Sequence, residues 1–165
     1  MLVTILILSI VLLDQISKYY AVLFLKDSAS YLFLPNLLSF QYHENRGAAW
    51  GLFADQRWIF MSVSTIAILL ILAFFLYCWW KKEKISILLS LSLSCFCGGG
   101  IGNMIDRFIL GYVVDFLKFE FIEFPIFNVA DSFICVGAGL MILYLFSETL
   151  REYKEKLQKK DIKND

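Results

Sequence analysis

The chain has 165 residues, 59% of them hydrophobic and 17% aromatic, with 15 Lys and Arg against 15 Asp and Glu for a net charge of +0. A mean hydropathy of +0.69 excludes an ordinary soluble domain of this size. The length suits one domain over residues 1–165, and the balanced charge gives no argument for binding nucleic acid.

In chain order, the first apolar stretch covers residues 2–25, enough to cross a bilayer, and is interrupted by Asp14, Gln15 and Lys18. It lacks a basic start and a small-residue cleavage site and runs too long for a signal peptide, so a retained helix is expected. Asp14 and Lys18 stand four apart, acid before base, which suits a neutralised structural pair; a proton pathway is the sharper alternative. Residues 31–42 are aromatic and apolar with turn residues in the middle. His43 is read as a polar loop residue, with no second histidine to help it bind a metal. The run Asn45-Arg46-Gly47-Ala48-Ala49-Trp50-Gly51 reads either as a tight turn or as a groove wall that a substrate backbone approaches.

The second apolar stretch, 58–80, carries no charge, and the third, 85–103, ends among glycines. Gly98 and Gly102 have the Gly-x-x-x-Gly spacing of close helix packing. Asn103, Asp106 and Arg107 follow at i, i+3 and i+4, so Asn103 shares a face with both if the helix continues that far. Asp106 reads first as a structural partner. Arg107 either snorkels, neutralises an aspartate or holds substrate backbone. Residues 112–121 alternate as a strand does, with Val113, Asp115, Leu117, Phe119 and Phe121 on one face. Asp115 then lies on an apolar face and needs a partner or a proton; Arg107, Lys118 and Asp131 are the candidates. Asn128 precedes Asp131, which opens the fourth stretch at 132–147, at the lower edge of spanning length. On its own Asp131 reads as a helix N-cap. The tail, 148–165, is rich in Lys and Glu and reads as a helix fraying into solvent.

The four cysteines, Cys78, Cys95, Cys97 and Cys135, fall in apolar runs without a Cys-x-x-Cys pair and read as small buried hydrophobes. Nine of the fifteen Lys and Arg residues lie between spans two and three or after span four, which predicts cytoplasmic termini and outward loops at 26–57 and 102–131. The expected fold is therefore mainly α: four transmembrane helices joined to a small extracytoplasmic β-sheet platform. No internal repeat is visible.

Two aspartates near the same interface cannot both ionise easily, so a convergent Asp115 and Asp131 would share a proton near neutral pH. One carboxylate then takes a proton from water while the other protonates a scissile carbonyl, the chemistry of an aspartic peptidase. The alternative is a small proton-coupled transporter or channel, against which stand the missing repeat and the clustering of polar residues at one interface. A structural membrane subunit would leave the two aspartates unexplained.

Asp14-Gln15-Ile-Ser-Lys18, Asn45-Arg-Gly-Ala-Ala-Trp-Gly51, Gly-Asn103-Met-Ile-Asp106-Arg107, Val-Val-Asp115-Phe and Phe-Asn128-Val-Ala-Asp131-Ser occur in that order over most of the chain. The set resembles the lipoprotein signal peptidases, or signal peptidase II. The resemblance implies an intramembrane aspartic endopeptidase of the bacterial inner membrane, acting without a metal or other cofactor. It would cut a prolipoprotein just before a diacylglyceryl-modified cysteine, facing outward among the membrane lipids, and a monomer is expected. Asp115 and Asp131 match the catalytic pair. Asn45, Asn103, Arg107 and Asn128 match polar positions that line the site and hold substrate, and Asp14 and Lys18 match supporting ones. Trp50 replaces a common Phe, and Gly99 and Gly100 fall where Ala and Leu are frequent.

Overall fold

A computed structural model describes residues 2–47 and 57–164. Four helices and three strands follow in the order α1 (Leu2–Leu25), β1 (Tyr31–Leu34), β2 (Leu38–Asn45), α2 (Arg57–Lys81), α3 (Ile87–Ile109), β3 (Val113–Phe119) and α4 (Val129–Asn164). All four helices are long and apolar enough to cross a membrane. The first two match the hydropathy boundaries closely. The third continues past its glycines to Ile109, carrying Asn103, Asp106 and Arg107 on regular helix. The fourth is not short: it starts at Val129 and runs unbroken through the charged tail to Asn164. Hydropathy underestimates it because helical hydrogen bonding continues where the side chains turn polar.

α3 is the central helix, and three consecutive glycines explain how. A Cβ on Gly98 would meet the Ile10 side chain of α1 at 2.8 Å, and one on Gly99 would meet the Ala130 carbonyl of α4 at 2.5 Å. A Cβ on Gly100 would touch Ile68 of α2 at 3.4 Å. Successive helical residues point about 100° apart, so the run opens three sides of α3 to three neighbours. Four residues on, Gly102 again faces α1, and its missing side chain makes room for Asp14. The Gly-x-x-x-Gly spacing thus serves the α1–α3 contact. Ser92 Oγ donates to the Gly137 carbonyl at 2.7 Å and closes the α3–α4 seam.

The outer faces of the helices are apolar and exposed, among them Leu8, Leu12, Leu69, Leu70, Ile142 and Phe146, whereas Asp14, Lys18, Ser92, Ser94, Asn103 and Asp106 lie buried. Lipid replaces water as the surroundings, so polar groups gather where they can satisfy one another. Cys78, Cys95 and Cys97 are buried as expected, but Cys135 is exposed on α4, and all four are free thiols. An apolar run around a membrane helix has a lipid-facing side as well as a buried one, which the run alone does not separate.

The strands form one antiparallel sheet in the order β1-β2-β3. β1 turns into β2 at Pro35-Asn36, where the Leu37 N–H bonds the Leu34 carbonyl at 3.1 Å and Asn36 takes φ 58. Pro ahead of a residue with positive φ is the sequence such a turn needs. β3 leaves α3 through Gly111 at φ 85, a backbone conformation that favours glycine after a helix end. Val114 and Phe116 pack with Ala21, Val22 and Leu25 at the last turns of α1, so the sheet sits over the helix ends from which α3 leaves and α4 starts.

Candidate active site

Two asparagine side chains, Asn128 and Asn103, join Asp115 on β3 to Asp131 in the first turn of α4, and a third, Asn45, holds Asp115 from β2. Asp115 is only 1% exposed. Its Oδ1 accepts from Asn128 Nδ2 at 2.7 Å and its Oδ2 accepts from Asn45 Nδ2 at 2.9 Å. Asp131 is half-buried. Its Oδ1 accepts from Asn103 Nδ2 at 2.7 Å and its Oδ2 from the Asn128 backbone N–H at 3.2 Å.

The cap of α4 is Asn128 rather than Asp131. Asn128 Oδ1 accepts from the Asp131 N–H at 2.9 Å, while Asp131 reaches back to the Asn128 N–H. This is a reciprocal capping box with Asp131 as its third helical residue. A backbone bridge between Leu117 and Phe127 sets Asn128 beside β3. The same asparagine therefore starts the helix that carries one aspartate and hydrogen-bonds the other.

Asp115 finds the partner its setting required, but in the Asn45 and Asn128 amides and not through a direct contact with Arg107, Lys118 or Asp131. Four successive residues from Val113 to Phe116 are buried, because both faces of this end of the strand are covered. Val114 and Phe116 take the apolar side, and Asp115 takes the side that meets Asn45 and Asn128. Burial first, and the like charge of Asp131 second, raise the Asp115 carboxyl from the ordinary 3.8 to about 7. The Asn45 and Asn128 amides and Lys18 oppose that rise.

A bulge in β2, absent from the sequence reading, decides which residues face Asp115. Phe40 pairs with Leu117, but His43, Glu44 and Asn45 then pair with Asp115, Val114 and Val113, one residue out of step. Without the extra residue, Tyr42 would oppose Asp115 and Glu44 would oppose Val113. Cross-strand partners share a face, so the shift turns Asn45 toward Asp115 and Glu44 away from it. Glu44 pairs instead with Arg46 at 3.0 Å and Lys26 at 3.7 Å. His43 is thus a strand residue, exposed and in register with Asp115, and not a loop residue. Bulges carry no composition signal, which is why alternation alone missed it.

Behind the pair lies a second buried cluster. Lys18 Nζ contacts Asp14 Oδ2 at 2.8 Å and Asp106 Oδ2 at 3.0 Å, and donates to Asn103 Oδ1 at 2.9 Å. Gln15 Nε2 donates to Asp106 Oδ1 at 3.0 Å and to the Gly102 carbonyl at 3.1 Å. The expected Asp14–Lys18 pair is present, with Asp106 as its third member. Arg107 lies within electrostatic reach of Asp131, Asp115 and Asp106, and Nη1 approaches the Asn103 carbonyl at 3.5 Å. Among the described residues no buried side-chain nitrogen or oxygen lacks a partner, and no group of three or more His, Cys, Asp or Glu is placed to hold a metal. Ala48, Ala49, Trp50 and Gly51, read as part of a groove wall, lie outside the described residues.

Residues 6–147 match the family described as Signal peptidase (SPase) II. The chain belongs to that family. A lipoprotein signal peptidase of Streptococcus pyogenes serotype M6 is 36% identical over 139 residues, covering 84% of this chain and 89% of its own. A lipoprotein signal peptidase of Brevibacillus brevis is 37% identical over 137 residues, covering 83% and 89%. Among solved structures, a bacterial membrane enzyme determined by the in meso method at 2.3 Å is similar at TM-score 0.79 and 30% identity, covering 89% of this chain and 88% of that one. The matched segment of the signal peptidase II family holds both aspartates, the three asparagines and the Lys18 cluster.

Proposed function

We propose that the chain removes signal peptides from diacylglyceryl-modified prolipoproteins, cutting before the lipid-modified cysteine, with Asp115 and Asp131 as the catalytic pair. The observation that carries this reading is the convergence of two carboxylates from different elements on one chain of asparagine amides. Family membership supports the reaction class. In the cleavage step one ionised carboxylate takes a proton from water as the water attacks the scissile carbonyl. The other, protonated, carboxyl hydrogen-bonds the developing oxyanion and gives up its proton. Proton transfer to the leaving nitrogen then releases the signal peptide. Asp115 suits the protonated role, since its carboxyl titrates near neutrality and it is the more deeply buried of the two. Asn45, Asn103 and Asn128 hold the carboxylates, and Arg107, within electrostatic reach of both aspartates, is the candidate to hold substrate backbone.

The chain acts as one integral-membrane domain over residues 1–165 and as a monomer. Both termini face the cytoplasm and the sheet faces outward. The excess of Lys and Arg at one end supports this orientation. The exposed apolar residues of β1, Tyr31, Leu32, Phe33 and Leu34, support a sheet resting against lipid. A lipid-modified substrate would reach the pair by lateral diffusion at that depth.

The test is cleavage of a diacylglyceryl-modified prolipoprotein by purified protein in detergent, with a chelator throughout. Wild type should cleave, and Asp115→Asn and Asp131→Asn should not. Equal cleavage by all three, or none by folded wild type, would reject the assignment.

A further inference from the structure

The buried Lys18 cluster touches the backbone on both sides of the candidate active site. Asp14 Oδ1 accepts from the Ala130 N–H at 2.8 Å, one residue before Asp131. Asp106 Oδ2 accepts from the Val114 N–H at 3.1 Å, one residue before Asp115. The two pins come from different helices, and Lys18 Nζ lies between them, within 3.0 Å of both carboxylates. Its third contact, Asn103 Oδ1, also accepts from Asn128 Nδ2 at 3.0 Å. With two donors on its oxygen, the Asn103 amide must present its NH₂ to Asp131, as it does at 2.7 Å.

We infer that Lys18 is a positioning residue: one ammonium ties together the carboxylates that pin the backbone beside each aspartate, and so sets their separation and the direction of the amide between them. Lys18 is 3% exposed on α1, with its ammonium held by Asp14, Asp106 and Asn103. Its single ammonium faces two carboxylates, Asp14 and Asp106; Asp115 and Asp131 are the other charged groups within its electrostatic reach. A purely structural ion pair would need neither the two adjacent backbone pins nor the contact to Asn103. Preorganised geometry of this kind is lost steeply, since a misplacement of about 1 Å costs about 100-fold in rate.

This inference rests on the peptidase reading, and the experiment separates the two. Full-length wild type, Lys18→Met, Asn103→Ala and the double variant are compared in detergent on a diacylglyceryl-modified prolipopeptide. Thermal unfolding is followed in parallel. Lys18→Met should lower kcat by roughly 100-fold while KM stays within about twofold. The double variant should be no slower than about threefold below the slower single variant, because both act on one amide. Lys18→Gln, which keeps a donor for Asn103, should recover part of kcat. If Lys18→Met does not fold, the same comparison is made in Lys18→Met/Asp14→Asn, where no charge is left facing the missing ammonium from α1. Multiplicative losses, or a folded Lys18 variant with wild-type kcat, would overturn the inference and leave the peptidase reading standing. Failure of wild type to cleave would overturn both.

Discussion

Replacing Gly102 by alanine tests the close approach of α1 and α3 that the site depends on. The added Cβ would lie 2.5 Å from Asp14 Oδ2 and 3.1 Å from its Cγ, with Ala130 Cβ at 3.4 Å behind. Asp14 cannot swing aside cheaply, because its oxygens are held by Lys18 at 2.8 Å and by the Ala130 N–H at 2.8 Å. Either the helices separate by about 1 Å or one of those bonds breaks. Overpacking costs about 1–3 kcal/mol and a lost hydrogen bond to a charged group about 1.5–3 kcal/mol, so whichever route the protein takes costs about 2 kcal/mol. Thermal unfolding in detergent should show a midpoint roughly 5 °C lower. Cleavage by the protein still folded should fall as well, since the Ala130 pin sits beside Asp131. Gly100→Ala is the control, with Ile68 at an ordinary 3.4 Å. It should be neutral or slightly stabilising, as alanine is the better helix former by about 1 kcal/mol. A Gly102→Ala protein with wild-type midpoint and rate, or equal damage from both substitutions, would refute the reasoning.

The remaining tests probe charge and register. Asp115 titrates near 7 when folded and near 3.8 when unfolded, so its contribution to stability is full below 3.8 and lost as pH rises to about 7, by about 4 kcal/mol over that window. Asp115→Asn should therefore gain stability relative to wild type as pH rises from 4 to about 8, read from paired unfolding midpoints; a constant difference would contradict the raised value. The pair should lose its shared proton near pH 7, so kcat/KM should fall above that pH, and a profile flat to pH 9 would remove Asp115 as the acid. Asn128→Ala should cost about 1 kcal/mol as a lost helix cap. It should also cost at least about 100-fold in kcat as a lost donor to Asp115. A stability loss with unchanged kcat would reduce Asn128 to a cap. Deleting Gln41 should remove the bulge and turn Glu44 toward the Asp115 face, and cleavage should disappear while the protein still folds; retained activity would show that register there is immaterial.

Hydropathy alone located the four helices, since crossing a bilayer demands about 20 apolar residues whatever the helices pack against. Alternation located β3, and Pro35-Asn36 marked the turn between β1 and β2, because these are local backbone properties. The i, i+4 spacing gave the Asp14–Lys18 pair for the same reason. Helix ends were less legible: α3 reaches Ile109 and α4 starts at Asn128's cap because hydrogen bonds, not hydropathy, end helices. What required tertiary structure was everything that depends on two distant segments meeting. Asp106 joining Lys18, the β2 bulge that brings Asn45 and not Glu44 to Asp115, and the asparagine chain between the aspartates each link elements far apart in sequence. The residue types announced that polar groups inside a membrane protein must find partners; only the packing of α1, α3, β3 and α4 chose which partners they are, because burial without water forces each buried donor and acceptor to be matched by whatever the fold brings alongside.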